Sequence, residues 1–129
     1  MRQTIILLLV TLLGFGSCKE DKYQVAYDAA APVCEKIKKN LAGQRETLNE
    51  QGDLICSCIT DALATEWAER YEIEELKTMG GVKKGLIAVN ALRNTNTQDH
   101  LTKCLNKSGK MEQTDVDFIV SMLRLIPGL

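Results

Sequence analysis

The chain has 129 residues, of which 45% are hydrophobic, 26% charged and 5% aromatic, with 16 basic and 17 acidic side chains. This length supports one small domain at most, which excludes a multidomain enzyme, a repeat array or a polytopic transporter. Balanced charge supplies no net field for nucleic acid or an acidic membrane, and the apolar content is too high for a disordered chain.

Arg2 precedes the apolar run from Ile5 to Leu13, and Gly14, Phe15, Gly16 and Ser17 follow it. An early positive charge, a short apolar run and small residues describe an export signal over residues 1–17. A spanning helix needs about 20 mostly apolar residues, and this run meets Lys19, Glu20, Asp21 and Lys22 too soon. The tetrapeptide Phe15-Gly16-Ser17-Cys18 resembles the lipobox of bacterial lipoproteins, with Phe15 where that family usually carries Leu and Gly16 where it carries Ala or Ser. The resemblance implies cleavage before Cys18, which becomes the lipidated first residue. Lys19-Glu20-Asp21 resembles the signal that sends Bacteroidota lipoproteins to the cell surface. Together these imply an outer-membrane lipoprotein, either facing the periplasm or displayed outside. Several acyl chains on Cys18 anchor a protein stably where one holds only marginally, so the membrane is met through the N-terminal lipid. Cleavage leaves residues 18–129, 112 in number, and loss of Arg2 leaves 15 basic against 17 acidic side chains.

Residues 18–30 are expected to be the lipidated Cys and a tether, ending in a helical lead-in with Tyr23 and Tyr27 at i, i+4; the domain is expected over 31–129. Pro32 fits a first helical turn, because the N–H it lacks is unsatisfied there anyway. Cys34, Ile37 and Leu41 follow at helical spacing, and Gly43 is a stop. Asp53 is placed to cap the strongest helix, in which Leu54, Ile55, Cys58, Ile59, Ala62, Leu63 and Trp67 form one apolar stripe.

Ile73 and Leu76 mark a shorter helix closed by Gly80-Gly81. The stretch Gly80–Gly85 lacks the spacing of a phosphate loop and is expected to be a helix stop followed by a basic surface turn. Val82, Leu86, Ile87, Val89 and Leu92 predict a further helix, with a strand as the competing assignment because of the β-branched residues. Asn94-Thr95-Asn96-Thr97 is a turn cluster. Thr97 or Asp99 is expected to cap a helix carrying Leu101, Cys104 and Leu105, which Asn106-Lys107-Ser108-Gly109 ends. Thr114 to Asp117 resembles a capping box with Asp in place of Glu, opening a last helix with Phe118, Ile119, Met122, Leu123 and Ile126 up to Pro127-Gly128. No alternating pattern with hairpin signals appears. The fold class is therefore all-α, a small compact bundle of four to six short helices.

Four cysteines remain beside Cys18: Cys34, Cys56, Cys58 and Cys104. An even number in a short exported chain predicts disulfides. Cys56 and Cys58 lie two apart on a helix and point about 200° apart, so they cannot bond each other without breaking it. One must reach Cys34 and the other Cys104; the spacing leaves both pairings open. Either one staples an early and a late helix onto the helix between them.

Catalytic patterns are sparse. His100, the single histidine, is expected to be a surface or capping residue near a helix start. Ser57, Ser108 and Ser121 lie outside any Gly-flanked nucleophile elbow. Glu66 and Glu69 flank Trp67, a pairing glycosidases use, but on an amphipathic helix such residues make a solvated face. Glu72, Glu74 and Glu75 make a solvated face or the charged rim of a partner site.

The expectation is a non-catalytic, lipid-anchored envelope lipoprotein acting as a protein-binding or accessory module, with no cofactor, no metal and no nucleic-acid partner. Two alternatives stand beside it. One is an immunity protein against an envelope-acting toxin, a reading that rests on size and location. The other is a thiol-redox protein using Cys56 and Cys58, or a metal-binding one that adds His100 and Cys104.

Overall fold

A computed structural model describes residues 21–41 and 49–129. The expected export signal, Cys18, Lys19, Glu20 and Gly43 lie outside the described residues. Those described form six α-helices and contain no strand: α1 (Lys22–Leu41), α2 (Gly52–Arg70), α3 (Ile73–Thr78), α4 (Gly81–Leu92), α5 (Thr95–Lys107) and α6 (Gln113–Arg124). None of them is long and apolar enough to cross a membrane.

The first helix begins well before Pro32. Asp21 caps it: its side chain accepts from the Tyr23 N–H at 3.0 Å and its carbonyl from the Val25 N–H at 3.0 Å. Ala26, Ala29, Ala30, Val33, Cys34 and Ile37 then form one buried stripe at i, i+3, i+4 spacing. Helix α1 therefore takes in the expected lead-in at Tyr23 and Tyr27 and runs unbroken across the expected boundary between residues 30 and 31. Pro32 sits inside the helix, on the exposed side. A proline there gives up the bond to the carbonyl four residues back. The helix persists because the buried stripe runs on both sides of it. Alanines carried that stripe, and alanine is a weak sequence signal for burial.

Helix α2 is the centre of the molecule. Gly52, Ile55, Cys58, Ile59, Thr60, Ala62, Leu63, Ala64 and Trp67 are buried, spread around most of its circumference, as befits a helix packed on several sides. It lies antiparallel to α1, since Tyr23 meets Asp61, Cys34 meets Cys56 and Lys38 meets Asp53. It is antiparallel to α5 as well, through Cys58 with Cys104 and Asp61 with His100. Asp53 is not a cap. Gln51 holds that position without a side-chain bond, and Asp53 lies in the first turn, where the helix dipole favours it and Lys38 Nζ donates to it at 3.1 Å.

The remaining helices close the core. In α3, Glu75 accepts from the Glu72 N–H at 3.3 Å, so part of the acidic run is a capping box rather than a free rim. The segment from Val82 to Leu92 is helix, not strand, and it starts earlier than expected. Gly80 is the N-cap, Gly81 opens α4 and Lys83, Lys84 and Gly85 are helical. Gly85 is there for space: a Cβ would stand 2.6 Å from the Leu129 carbonyl oxygen.

Asn94, not Thr97 or Asp99, caps α5, accepting from the Asn96 N–H at 2.9 Å; Thr97 is buried in the first turns. Gly109, at φ 68°, follows the end of α5, in the left-handed conformation that glycine adopts without steric cost. Glu112 rather than Thr114 precedes α6, with no side-chain cap. Val116, Ile119, Leu123 and Ile126 complete one continuous core. Arg93 Nη2 donates to the Ile126 carbonyl at 3.1 Å, tying the end of α4 to the chain after α6.

Candidate functional site

The antiparallel register of α1, α2 and α5 brings three polar side chains to one point. Asp61, on α2, accepts the Tyr23 hydroxyl from α1 on Oδ1 and faces His100 Nε2 of α5 across 2.6 Å on Oδ2. Asp61 and His100 are each about one-third exposed, at 35% and 34%. Burial by itself raises the Asp61 carboxyl; the hydrogen bonds from Tyr23 and His100, with the His100 charge, outweigh burial and hold it below the usual carboxylate value. Burial, then the hydrogen bond to Asp61 and its negative charge, push the Tyr23 phenol up to about 12.

One to two turns along α2, Glu66 makes a second connection to α5. Thr97 Oγ1 donates to Glu66 Oε2, and Arg70 Nε donates to Glu66 Oε1 at 2.9 Å. A groove of about 280 Å³ runs past Glu66, Glu69, Asn94, Thr97 and His100. A second, of about 340 Å³, is lined by Asp61, His100, Lys103, Cys104 and Lys107. His100 stands between the two and belongs to both.

Each residue singled out in the sequence can now be placed. The four cysteines form Cys34–Cys56, with Cα atoms 5.4 Å apart, and Cys58–Cys104, at 5.7 Å. Of the two open pairings, this is the one that the helix order selects. Cys56 turns to α1 and Cys58 to α5, on opposite sides of α2. The set Cys56, Cys58, His100 and Cys104 is not gathered around a point, and among the described residues no group of three or more His, Cys, Asp or Glu side chains is arranged to hold a metal ion. Trp67 is 1% exposed and so offers Glu66 and Glu69 no aromatic platform. Its indole N–H is buried without a hydrogen-bond partner. His100 is neither a cap nor an isolated surface residue. Asp21, expected in the export signal, also caps α1.

Sequence reasoning missed Tyr23, Asp61 and Thr97 as members of a cluster. Tyr23 and Asp61 are 38 residues apart and Asp61 and His100 are 39. The usable signal is the disulfide register: once Cys58 pairs with Cys104 in antiparallel helices, one turn further along α2 places Asp61 beside His100. With the pairing open, that register was open too. Comparison of the chain with protein-family models, curated proteins and solved structures gives no match.

Proposed function

We propose that the chain is a lipid-anchored envelope lipoprotein of the outer membrane, and that its helical body binds a protein partner instead of carrying out a reaction. The observation that carries the partner half is on α4, where Val82 is 81% exposed and Leu86 63%, one turn apart on one flank. Two large aliphatic side chains at successive turns are an apolar anchor of the kind interfaces use. The adjoining Lys83 and Lys84 favour a partner whose own apolar patch carries an acidic rim.

The polar chemistry of the body supports binding over catalysis. Both oxygens of Asp61 and both of Glu66 are engaged in contacts to neighbouring side chains, and all four cysteines are in bridges. The anchor half rests on the lipobox-like Phe15 to Cys18 and on the signal-like Lys19-Glu20-Asp21. It fits a helix that begins at Lys22, because the lipid would then hold the body close to the bilayer.

Two measurements test the halves separately. The intact mass of the protein taken from its native membrane is expected to show an acylated Cys18 as first residue; a free Cys18 or an uncleaved leader removes the anchor. For the partner, a photo-crosslinking residue is placed at Leu86, or at exposed Lys36 on α1 as a control, in living cells. One defined adduct from position 86, absent from position 36 and suppressed by Val82→Asp, is the expected result. Absence of any adduct, or equal adducts from both positions, overturns it.

A further inference from the structure

The groove between α2 and α5 has a charge pattern that the helix contacts leave unused. Lys103 and Lys107 lie one turn apart on the same face of α5, with His100 one turn before Lys103, and all three line the groove. Among the described residues neither lysine makes an ion pair. The one carboxylate in the lining, Asp61, is already engaged by the Tyr23 hydroxyl and by His100. Cys104 adds the sulfur of a closed bridge, which brings no charge. Two ammonium groups therefore face a groove of about 340 Å³ whose only negative group is occupied.

We infer that this groove binds a phosphate group, inorganic or esterified. Two ammonium groups on one helix face, each with three donors, suit a multi-oxygen anion that accepts from both at once. The volume leaves room for an ester substituent against the lysine stems and the Cys104 sulfur. The phosphate has two sources, a soluble ion or a lipid headgroup. Tyr23, at the Asp61 side of the groove, is five residues from Cys18, which is at most about 18 Å of extended chain. On the lipoprotein reading, the groove is held near the headgroup layer. The site itself does not depend on that reading.

His100 is the only histidine, so its ring signals report on the groove without ambiguity. The test is a titration of the full chain in uncharged detergent, at constant pH and ionic strength, followed by NMR of the His100 ring. Inorganic phosphate is one probe and dihexanoyl phosphatidylglycerol the other, with sodium chloride as the blank. A saturable shift is expected with at least one phosphate probe and not with chloride. It is expected to be on the order of tenfold weaker in Lys103→Gln/Lys107→Gln, as loss of two charge-assisted contacts implies. Both lysines are exposed, so the melting temperature is expected to be unchanged. A response to inorganic phosphate alone assigns a soluble ligand, and tighter binding of the lipid assigns the headgroup. No saturable shift with either probe, or one that survives the double substitution unchanged, overturns the inference. The intact mass of the same sample reports the state of Cys18, so failure of the groove and failure of the anchor are separate results.

Discussion

Asp61 holds three helices with one side chain, since the hydroxyl of Tyr23 and the ring of His100 take its two oxygens. The pH consequences follow from the direction of each shift. A carboxyl held below its usual value stabilises the fold above its unfolded pKa of about 3.9, and that contribution is lost as pH falls through the folded value. Tyr23 has the opposite sign. With its phenol pushed up to about 12, its contribution is complete below the unfolded pKa of about 10 and is lost as pH rises towards 12. The expected result is a tyrosinate absorbance step near pH 12 that disappears in Tyr23→Phe and moves to lower pH in Asp61→Asn. The same window should show a fall in unfolding free energy that Tyr23→Phe flattens. A titration in which Tyr23→Phe leaves the highest step in place would remove Asp61 from this role.

At the level of elements, α1 shows a local preference overruled by packing. An interior proline costs a helix about 3 kcal/mol, yet α1 runs unbroken on both sides of Pro32, because Ala26, Ala29 and Ala30 before it and Val33, Cys34 and Ile37 after it are all buried. Pro32→Ala is expected to raise the unfolding free energy by about 1–3 kcal/mol in urea titrations, since it restores a donor and removes a clash at an exposed position. If residues 22–30 were a tether and the helix began at Pro32, the same change would be neutral or destabilising. The caps show a related effect. Asn94 displaced Thr97 as the cap of α5, and Thr97 was then free to donate to Glu66. A hydroxyl near a helix start supplies either a cap or a cross-helix bond, and only the neighbouring helix decides which.

For the molecule as a whole, the two bridges fasten α1 and α5 to opposite sides of α2. In the chain-entropy model, loops of 22 and 46 residues are worth about 3–4 kcal/mol each. That is a large share of the stability of a domain this size, in which Trp67 is the single fully buried aromatic among the described residues. Cys34→Ala/Cys56→Ala is expected to lower the melting temperature by on the order of ten degrees or more, and reduction of both bridges by more again. An unchanged melting temperature would mean that Cys34 and Cys56 are not bridged in solution.

The all-α class, the approximate position of most helices and the presence of two bridges were legible in the sequence. Each follows from local spacing: apolar residues every three or four positions, Asn, Ser and Gly at breaks, and four cysteines after residue 30, of which two share a helix. The start of α1 was legible only as a lead-in at Tyr23 and Tyr27; its continuity through Pro32 was not, because its buried face before Pro32 is built of alanines and a proline within the helix imitates a beginning. The choice between the two pairings, and with it the meeting of Tyr23, Asp61 and His100, belonged to the tertiary structure. Residues 38 and 39 positions apart in the chain come into contact only when helices align in one register, and that register is set by how the whole core packs around α2.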